Sequence, residues 1–320
     1  MKKILTVLLV FVLGLGLTAC NKNSLTMPKP KGKVVQYTNF ELEKKFDKLK
    51  FKNKKDKLIQ ASSTLNRHEE AIDYNYELTQ EYTMVKDANT NDLWLNLKHS
   101  YSESDGKYQM AVNGYESKNY TYFDVDFKNN KKFDNEYYNN IELYNGKYKI
   151  KKEKGSWYDY NSLYDLLSDY DIYFDDELDF EYANYYFEED FFLELNEIGY
   201  KKLKFYETNE LFTIELKITL DDLKKEKDDF YDLVNDWFNL PDNIDDLNKF
   251  DIHYVYVFEK NYLIEFGYKG SIQFNEDENN DGEFYINVDF EIIIKYTDKK
   301  PKEYKYSDYE LIEDSEDIIK

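Results

Sequence analysis

Few residues of this chain can do covalent or acid–base chemistry near neutral pH. Among 320 residues there is one thiol, Cys20, and three imidazoles, His68, His99 and His253. No two histidines stand at a spacing that would chelate a metal from one helix, and no G-x-S-x-G turn exposes a nucleophilic serine. A histidine works as a base when a second group orients its ring, and the sequence pairs none of the three with one. Carboxylates number 65, so adjacency, as in Asp175-Asp176 or Glu188-Glu189, singles out no catalytic pair. Neither an enzyme nor a bound cofactor is expected.

Two constellations carry binding chemistry. Asp277, Asn279 and Asp281, followed by Gly282, place oxygens on alternate residues ahead of a sharp turn, the first half of a calcium loop. Val288 stands where the twelfth-position bidentate Glu belongs, and the flanks read as strands. A plain hairpin tip at Asn280-Asp281-Gly282 is therefore the competing expectation. The second constellation lies between Lys154 and Lys201, a stretch without Lys or Arg in which residues 157–200 hold 14 acids and 15 aromatics. Either the rings pack inward and the acids stay solvated, or phenols, ring faces and carboxylates cradle a cation, at about 0.5–2 kcal/mol per cation–π contact.

The N-terminus reads as an export signal: Lys2 and Lys3, an apolar run from Ile4 to Leu17, then the small residues Thr18 and Ala19. The run is shorter than the about 20 residues of a spanning helix. Leu17-Thr18-Ala19-Cys20 resembles the lipobox of bacterial lipoproteins. That resemblance implies cleavage after Ala19, a diacylglyceryl thioether on Cys20, and a lipid-anchored protein on the extracytoplasmic face of the cell membrane. Two acyl chains, at about 0.8 kcal/mol per buried methylene, hold where one chain binds only reversibly. With its only thiol consumed the mature chain has no disulfide, and a chain of about 300 residues buries enough surface to be stable without one.

Charge divides the mature chain in two. Residues 21–70 carry 13 Lys and Arg against 6 acids, and residues 71–320 carry 28 against 59. A basic stem under an acidic body either lies against anionic headgroups or is a solvated tether. The acidic body excludes nucleic acid, whose binding needs phosphate neutralisation. Met27-Pro28-Lys29-Pro30 suggests that residues 20–38 are a flexible spacer.

Periodicity supplies the elements. Apolar residues from Phe40 to Leu65 suit one or two helices. From Ile72 the period becomes 2, giving strands around 72–84, 93–101, 108–112, 120–127, 141–144 and 147–152. Short helices are expected within 157–199, strands at 203–206 and 211–220, and a helix at 221–238 from Phe230, Leu233, Val234, Trp237 and Phe238 on one face. Strands at 252–258, 262–274 and 283–296 close the domain. The fold class expected is α+β: a long curved antiparallel sheet, an unclosed half-barrel, wrapped around a few helices. The limits are a signal peptide at 1–19, a lipidated tether at 20–38, one domain at 39–310 and an acidic tail at 311–320.

This order of elements, with Asn145-Gly146 leading to Gly155-x-Trp157, resembles the LolA/LppX-like superfamily of lipoprotein carriers. The resemblance implies a ligand held between sheet and helices, with the 157–199 insert as lid. Trp157, Tyr185, Tyr186 and Phe187 are then expected to border the cavity, and Asp175, Asp176, Glu188 and Glu189 its rim. An apolar or cationic amphiphile is the ligand class expected, since rim acids repel anionic headgroups and salt screens them. The alternative is a surface interaction or structural lipoprotein with a filled core. A void of about 300 Å³ or more separates the two. For the anchor, Cys20→Ser is expected to lose membrane attachment and accumulate as precursor in its host, read by fractionation and mass; a processed variant that stays on the membrane refutes it.

Overall fold

The computed structural model describes residues 25–71, 74–103, 106–129, 146–151, 178–225, 228–238, 240–241, 243–278, 282–301 and 306–312. Within them β1 (Lys33–Val35) precedes helix α1 (Asn39–Phe46). Then come β2 (Leu58–Ala71), β3 (Tyr74–Asp87), β4 (Leu93–Glu103), β5 (Gly106–Glu116), β6 (Tyr120–Asn129) and β7 (Gly146–Lys151). A 3₁₀ turn (Tyr182–Tyr186) and α2 (Glu189–Glu197) lead to β8 (Leu203–Glu207) and β9 (Leu211–Thr219). Helices α3 (Leu220–Lys225) and α4 (Asp228–Phe238) precede β10 (Leu247–Glu259), β11 (Tyr262–Glu278), β12 (Gly282–Thr297) and β13 (Glu310–Ile312).

Among the described residues the thirteen strands form one unclosed sheet in the order β1-β8-β9-β10-β11-β12-β2-β3-β4-β5-β6-β7-β13. Every neighbouring pair is antiparallel except β7 with β13, which is parallel. The sheet wraps around a few helices, as the alternation implied. Its inner face follows from register: Ile214, Tyr256, Phe266, Ile294, Ala61, Met84 and Leu95 stand opposite one another across seven strands. All seven are at most 1% exposed.

Several expectations are corrected. Leu58, Ile59, Ala61 and Leu65, assigned to a helix, lie in β2, paired with β12 and β3. Ser62-Ser63-Thr64 between them prefer to bond locally or pack in a sheet rather than continue a helix. Only α1 remains of that assignment. It is closed by a capping box in which Glu41 N–H donates to Thr38 Oγ1 and Thr38 N–H to Glu41 Oε2 at 2.9 Å. The helix expected at 221–238 is seen as α3 and α4, on either side of residues 226–227, which lie outside the described residues. The sheet also takes in Leu311 and Ile312, two residues of the assigned tail. The strand assigned to 141–144 lies outside the described residues.

The spacer is corrected too. From Leu25 the chain is strapped across the outer face of the sheet, with Leu25 and Pro28 buried. A Cβ at Gly267 would stand 2.5 Å from Pro28 Cδ and 2.7 Å from Met27 Sδ, so only glycine lets the strap lie this close. Val255 and Ile293, opposite Gly267 on the two neighbouring strands, are consequently buried on the outer face as well. Three of the stem lysines are paired with acids of the body. Lys45 pairs with Glu207, Lys54 with Glu259 at 3.3 Å and Lys57 with Asp298 at 3.0 Å. Exposed pairs of this kind contribute about 0–1 kcal/mol each; they orient the stem more than they stabilise it.

The register makes a prediction. Ile292 faces inward opposite Tyr268 and Ser63, and Glu291 faces outward opposite Lys269 and Thr64. Ile292→Asp is expected to destabilise by more than about 3 kcal/mol, because it leaves a charge among apolar neighbours. Glu291→Ala should change stability by about 0.5 kcal/mol or less. Denaturant midpoints compare the two, and equal shifts reject the register.

Candidate functional site

The inner face of the sheet is not filled everywhere. A cavity of about 210 Å³ lies between the sheet and the helices, lined by Tyr185, Tyr186, Glu188, Phe191, Phe192, Trp237, Phe238, Tyr254 and Tyr268. Eight of the nine are aromatic and none is Lys or Arg, so the wall offers ring faces, phenols and one carboxylate.

Each part of the wall is held by a separate device. Tyr254 of β10 and Tyr268 of β11 form the floor, opposite one another in register and stacked at 4.2 Å with 5° between their planes. Burial raises the Tyr254 hydroxyl well above its ordinary pKa and pushes Tyr268 up to about 12, so both phenols stay neutral. The 3₁₀ turn carrying Tyr185 and Tyr186 is led in by Asp179, whose Oδ1 accepts from the backbone N–H groups of Glu181 (2.8 Å) and Tyr182 (3.1 Å). Asn53 donates to its other oxygen at 2.7 Å, and Lys86 stands 3.6 Å away. At the far end of the turn Tyr256, fully buried, donates its hydroxyl to the Tyr186 carbonyl.

Helix α2 turns Phe191, Phe192 and Leu195 inward. Its outer side is pinned to α1, because Asn196 Nδ2 donates to Asn39 Oδ1 at 2.6 Å and Asn39 Nδ2 donates to the Leu193 carbonyl at 3.2 Å. Helix α4 buries Phe230, Tyr231 and Val234. It sends Trp237 to the rim, where its ring lies 5.4 Å from Phe191 and it is 38% exposed. No family model and no curated protein matches this chain. The site is therefore read from its own geometry.

Three residues named from sequence, Tyr185, Tyr186 and Glu188, line the cavity. Phe187 does not: it turns into the core, 5.3 Å from Phe46, 5.1 Å from Phe51 and 5.4 Å from Tyr256. The 3₁₀ turn ends between Tyr186 and Phe187, and the chain's change of direction there points consecutive side chains to different places. Glu189 is not a lining residue; burial and nearby Asp47 raise its carboxyl pKa. Trp157, Asp175 and Asp176 lie outside the described residues, as do Cys20, Asn279 and Asp281. Asp277 sits in β11, which stays paired with β12 up to Glu278 and Gly282. Among the described residues no group of three or more His, Cys, Asp or Glu gathers around a metal position, and no helix is long and apolar enough to cross a membrane.

Sequence reasoning missed Phe191, Phe192, Trp237, Phe238, Tyr254 and Tyr268 as site residues. Alternation puts Tyr254 and Tyr268 on the inner face, and the helical period puts Trp237 at the edge of the apolar face of α4. Those signals were present without stating which inner residues stay uncovered.

The histidines sit apart from this cavity. His253 Nε2 lies 3.1 Å from Glu215 Oε1, and burial followed by Lys217 lowers its pKa. His99 is 4% exposed between Gln80 (3.3 Å) and Tyr108 (3.1 Å), and burial lowers its pKa to about 4. In the unfolded chain its pKa is near 6.5, so between these values the unfolded state binds the extra proton. Its contribution is intact above pH 6.5 and is lost as pH falls toward 4, by about 3 kcal/mol in full. Denaturation of the wild type between pH 7 and 4 is expected to show a steeper loss than His99→Gln, and parallel curves reject the assignment.

Proposed function

We propose that the protein is a membrane-anchored extracytoplasmic lipoprotein that holds an apolar or amphiphilic group between its curved sheet and its helices. The observation that carries this is the aromatic cavity on the inner face, bordered by Tyr185 and Tyr186 from the insert that the LolA/LppX-like resemblance makes a lid. At about 30 Å³ per water, 210 Å³ equals about seven waters. That suits one head group or chain end and is too small for a whole two-chain lipid. Burial at about 25 cal/mol per Å² supplies the affinity. Anchoring at Cys20 would keep the domain close to the bilayer, since only four residues separate it from the packed Leu25, five steps or at most about 18 Å of chain.

A second reading, a surface interaction or structural lipoprotein, draws on the same volume, which falls short of the about 300 Å³ of ordinary ligand pockets. Mass spectrometry of small molecules co-isolating with the chain from its host membrane separates the two. An amphiphile is expected, and Tyr185→Ala should lower its retention several-fold. Tyr185 is 77% exposed, so its loss costs little stability. Absence of any retained molecule, with none taken up on adding amphiphiles, overturns the reading in favour of the filled core.

A further inference from the structure

The strands give the sheet two ends, and charge is divided between them. The turn after β10 (Lys260-Asn261), the segment after β12 (Asp298-Lys299-Lys300) and the loop 48–57 leading into β2 stand together at one end, on four adjacent strands. Hydrogen bonds join them. Lys50 N–H donates to the Asn261 carbonyl at 2.8 Å, Leu263 N–H to the Lys50 carbonyl at 2.9 Å, and Lys54 N–H to Tyr296 Oη at 2.8 Å. Residues 48–57, 259–261 and 298–300 hold nine lysines against three acids, a net of +6. Lys54 and Lys57 are paired with Glu259 and Asp298. The other seven lysines are exposed and form no ion pair among the described residues. The remaining turns at this end, 88–92, 117–119 and 208–210, add one lysine and two acids. At the opposite end, residues 220–246, which connect β9 to β10, hold ten acids and three lysines.

A charge division of this kind orients a molecule in front of an anionic surface, drawing one end in and pushing the other away. Each basic residue held at an anionic leaflet raises binding about fivefold, and only within a Debye length, about 8 Å at physiological salt. The N-terminal strap brings the chain's start toward the lysine end. It crosses β11 at Gly267, five residues from Tyr262 at that end of the strand and eleven from Glu278 at the other. Resting on the reading of Cys20 as a lipid anchor four residues ahead of Leu25, we propose that the lysine end of the sheet is a docking surface for an anionic lipid leaflet, the one that carries the anchor. The strands then rise from the membrane and the acidic end points away from it. Lysines already paired, Lys54 and Lys57, hold the loop in place, and the seven exposed ones meet the headgroups.

The test is co-flotation of the whole mature chain, from residue 20 with Cys20→Ser so that no acyl chain contributes, with phosphatidylcholine vesicles. One set of vesicles carries about 30% phosphatidylglycerol and the other none. Binding to the anionic set alone is expected, and about 0.5 M salt should abolish it. Replacing the exposed Lys48, Lys52, Lys55 and Lys299 together by Glu should weaken binding about a hundredfold or more. The same four replaced by Gln should weaken it less, and this milder set serves if the reversal does not fold. Lys201, Lys204, Lys224 and Lys225 are exposed away from the lysine end. Their reversal to Glu changes the net charge equally and should weaken binding less than about threefold. Equal binding to both vesicle types, no binding to either, or equal losses from the two reversals overturns the docking surface. The anchor is judged separately, by the mass and fractionation of the wild-type chain from its host. Lipidated chain with no vesicle preference keeps the anchor and loses the surface, and unlipidated chain that still floats with anionic vesicles keeps the surface and loses the anchor.

Discussion

A sheet that does not close leaves one long apolar surface with no second sheet to cover it, and the rest of this molecule answers that constraint. Alternation along each strand delivers the inner face, and register keeps the apolar positions of neighbouring strands opposite one another. The filling comes from α1, α2, α4 and the 3₁₀ turn, whose inward residues are mostly rings. Tyr256 sits at the centre of this arrangement. It packs edge-on against Phe187 and at 4.9 Å from Phe266, and its hydroxyl is met by the Tyr186 carbonyl. A buried phenol without an acceptor costs about 1–3 kcal/mol. This one bond therefore holds the turn that carries Tyr185 and Tyr186 against the strands beneath it.

The same openness creates two sheet edges and an outer face. Both edges, β1 and β13, are three residues long, which limits the unpaired backbone offered to another chain. The outer face is covered at two places by the two ends of the described chain. Near the N-terminus the strap from Leu25 lies over Gly267. Near the C-terminus Tyr306 and Tyr309 pack on Tyr122, at 4.3 Å and 5.6 Å, next to the stacked rings of Trp94 and Tyr115. Each covering segment makes its stretch of sheet apolar on both sides, which is why Ile293 is as buried as Ile294.

How much was legible in the sequence follows from the range of the interaction involved. Strands such as β4 and β12 were readable because a single alternating face fixes both type and orientation. Segment 58–65 was misread because its apolar spacing suits either a helix or a strand, and what decided between them was pairing with residues some 230 positions later. The strap was invisible for a related reason: nothing local to Met27-Pro28 reveals that a glycine at position 267 leaves room for it. At the cavity, composition pointed to the right segment and to three of its nine lining residues, since an excess of rings and acids is a local property. The floor at Tyr254 and Tyr268, and the mouth at Trp237, depend on which parts of the inner face the helices leave bare.

That bare patch has an energetic meaning. The pocket opens to solvent past Tyr185 and Trp237, which are 77% and 38% exposed, so only its inner part lacks contacts as an enclosed cavity does. The helices cannot settle inward to remove it. Asn196 and Asn39 lock α2 to α1 on one side, Asp179 and Tyr256 hold the turn at both ends, and planar rings with two rotatable bonds adapt poorly to an irregular gap. Water can occupy the part beside Glu188 and the phenols, where it finds partners, whereas Phe191, Phe192 and Phe238 offer it none. An occupant with an apolar body would cover the rings that water cannot satisfy while its polar end met the phenols, whereas a side chain grown to fill the space would cover only the rings.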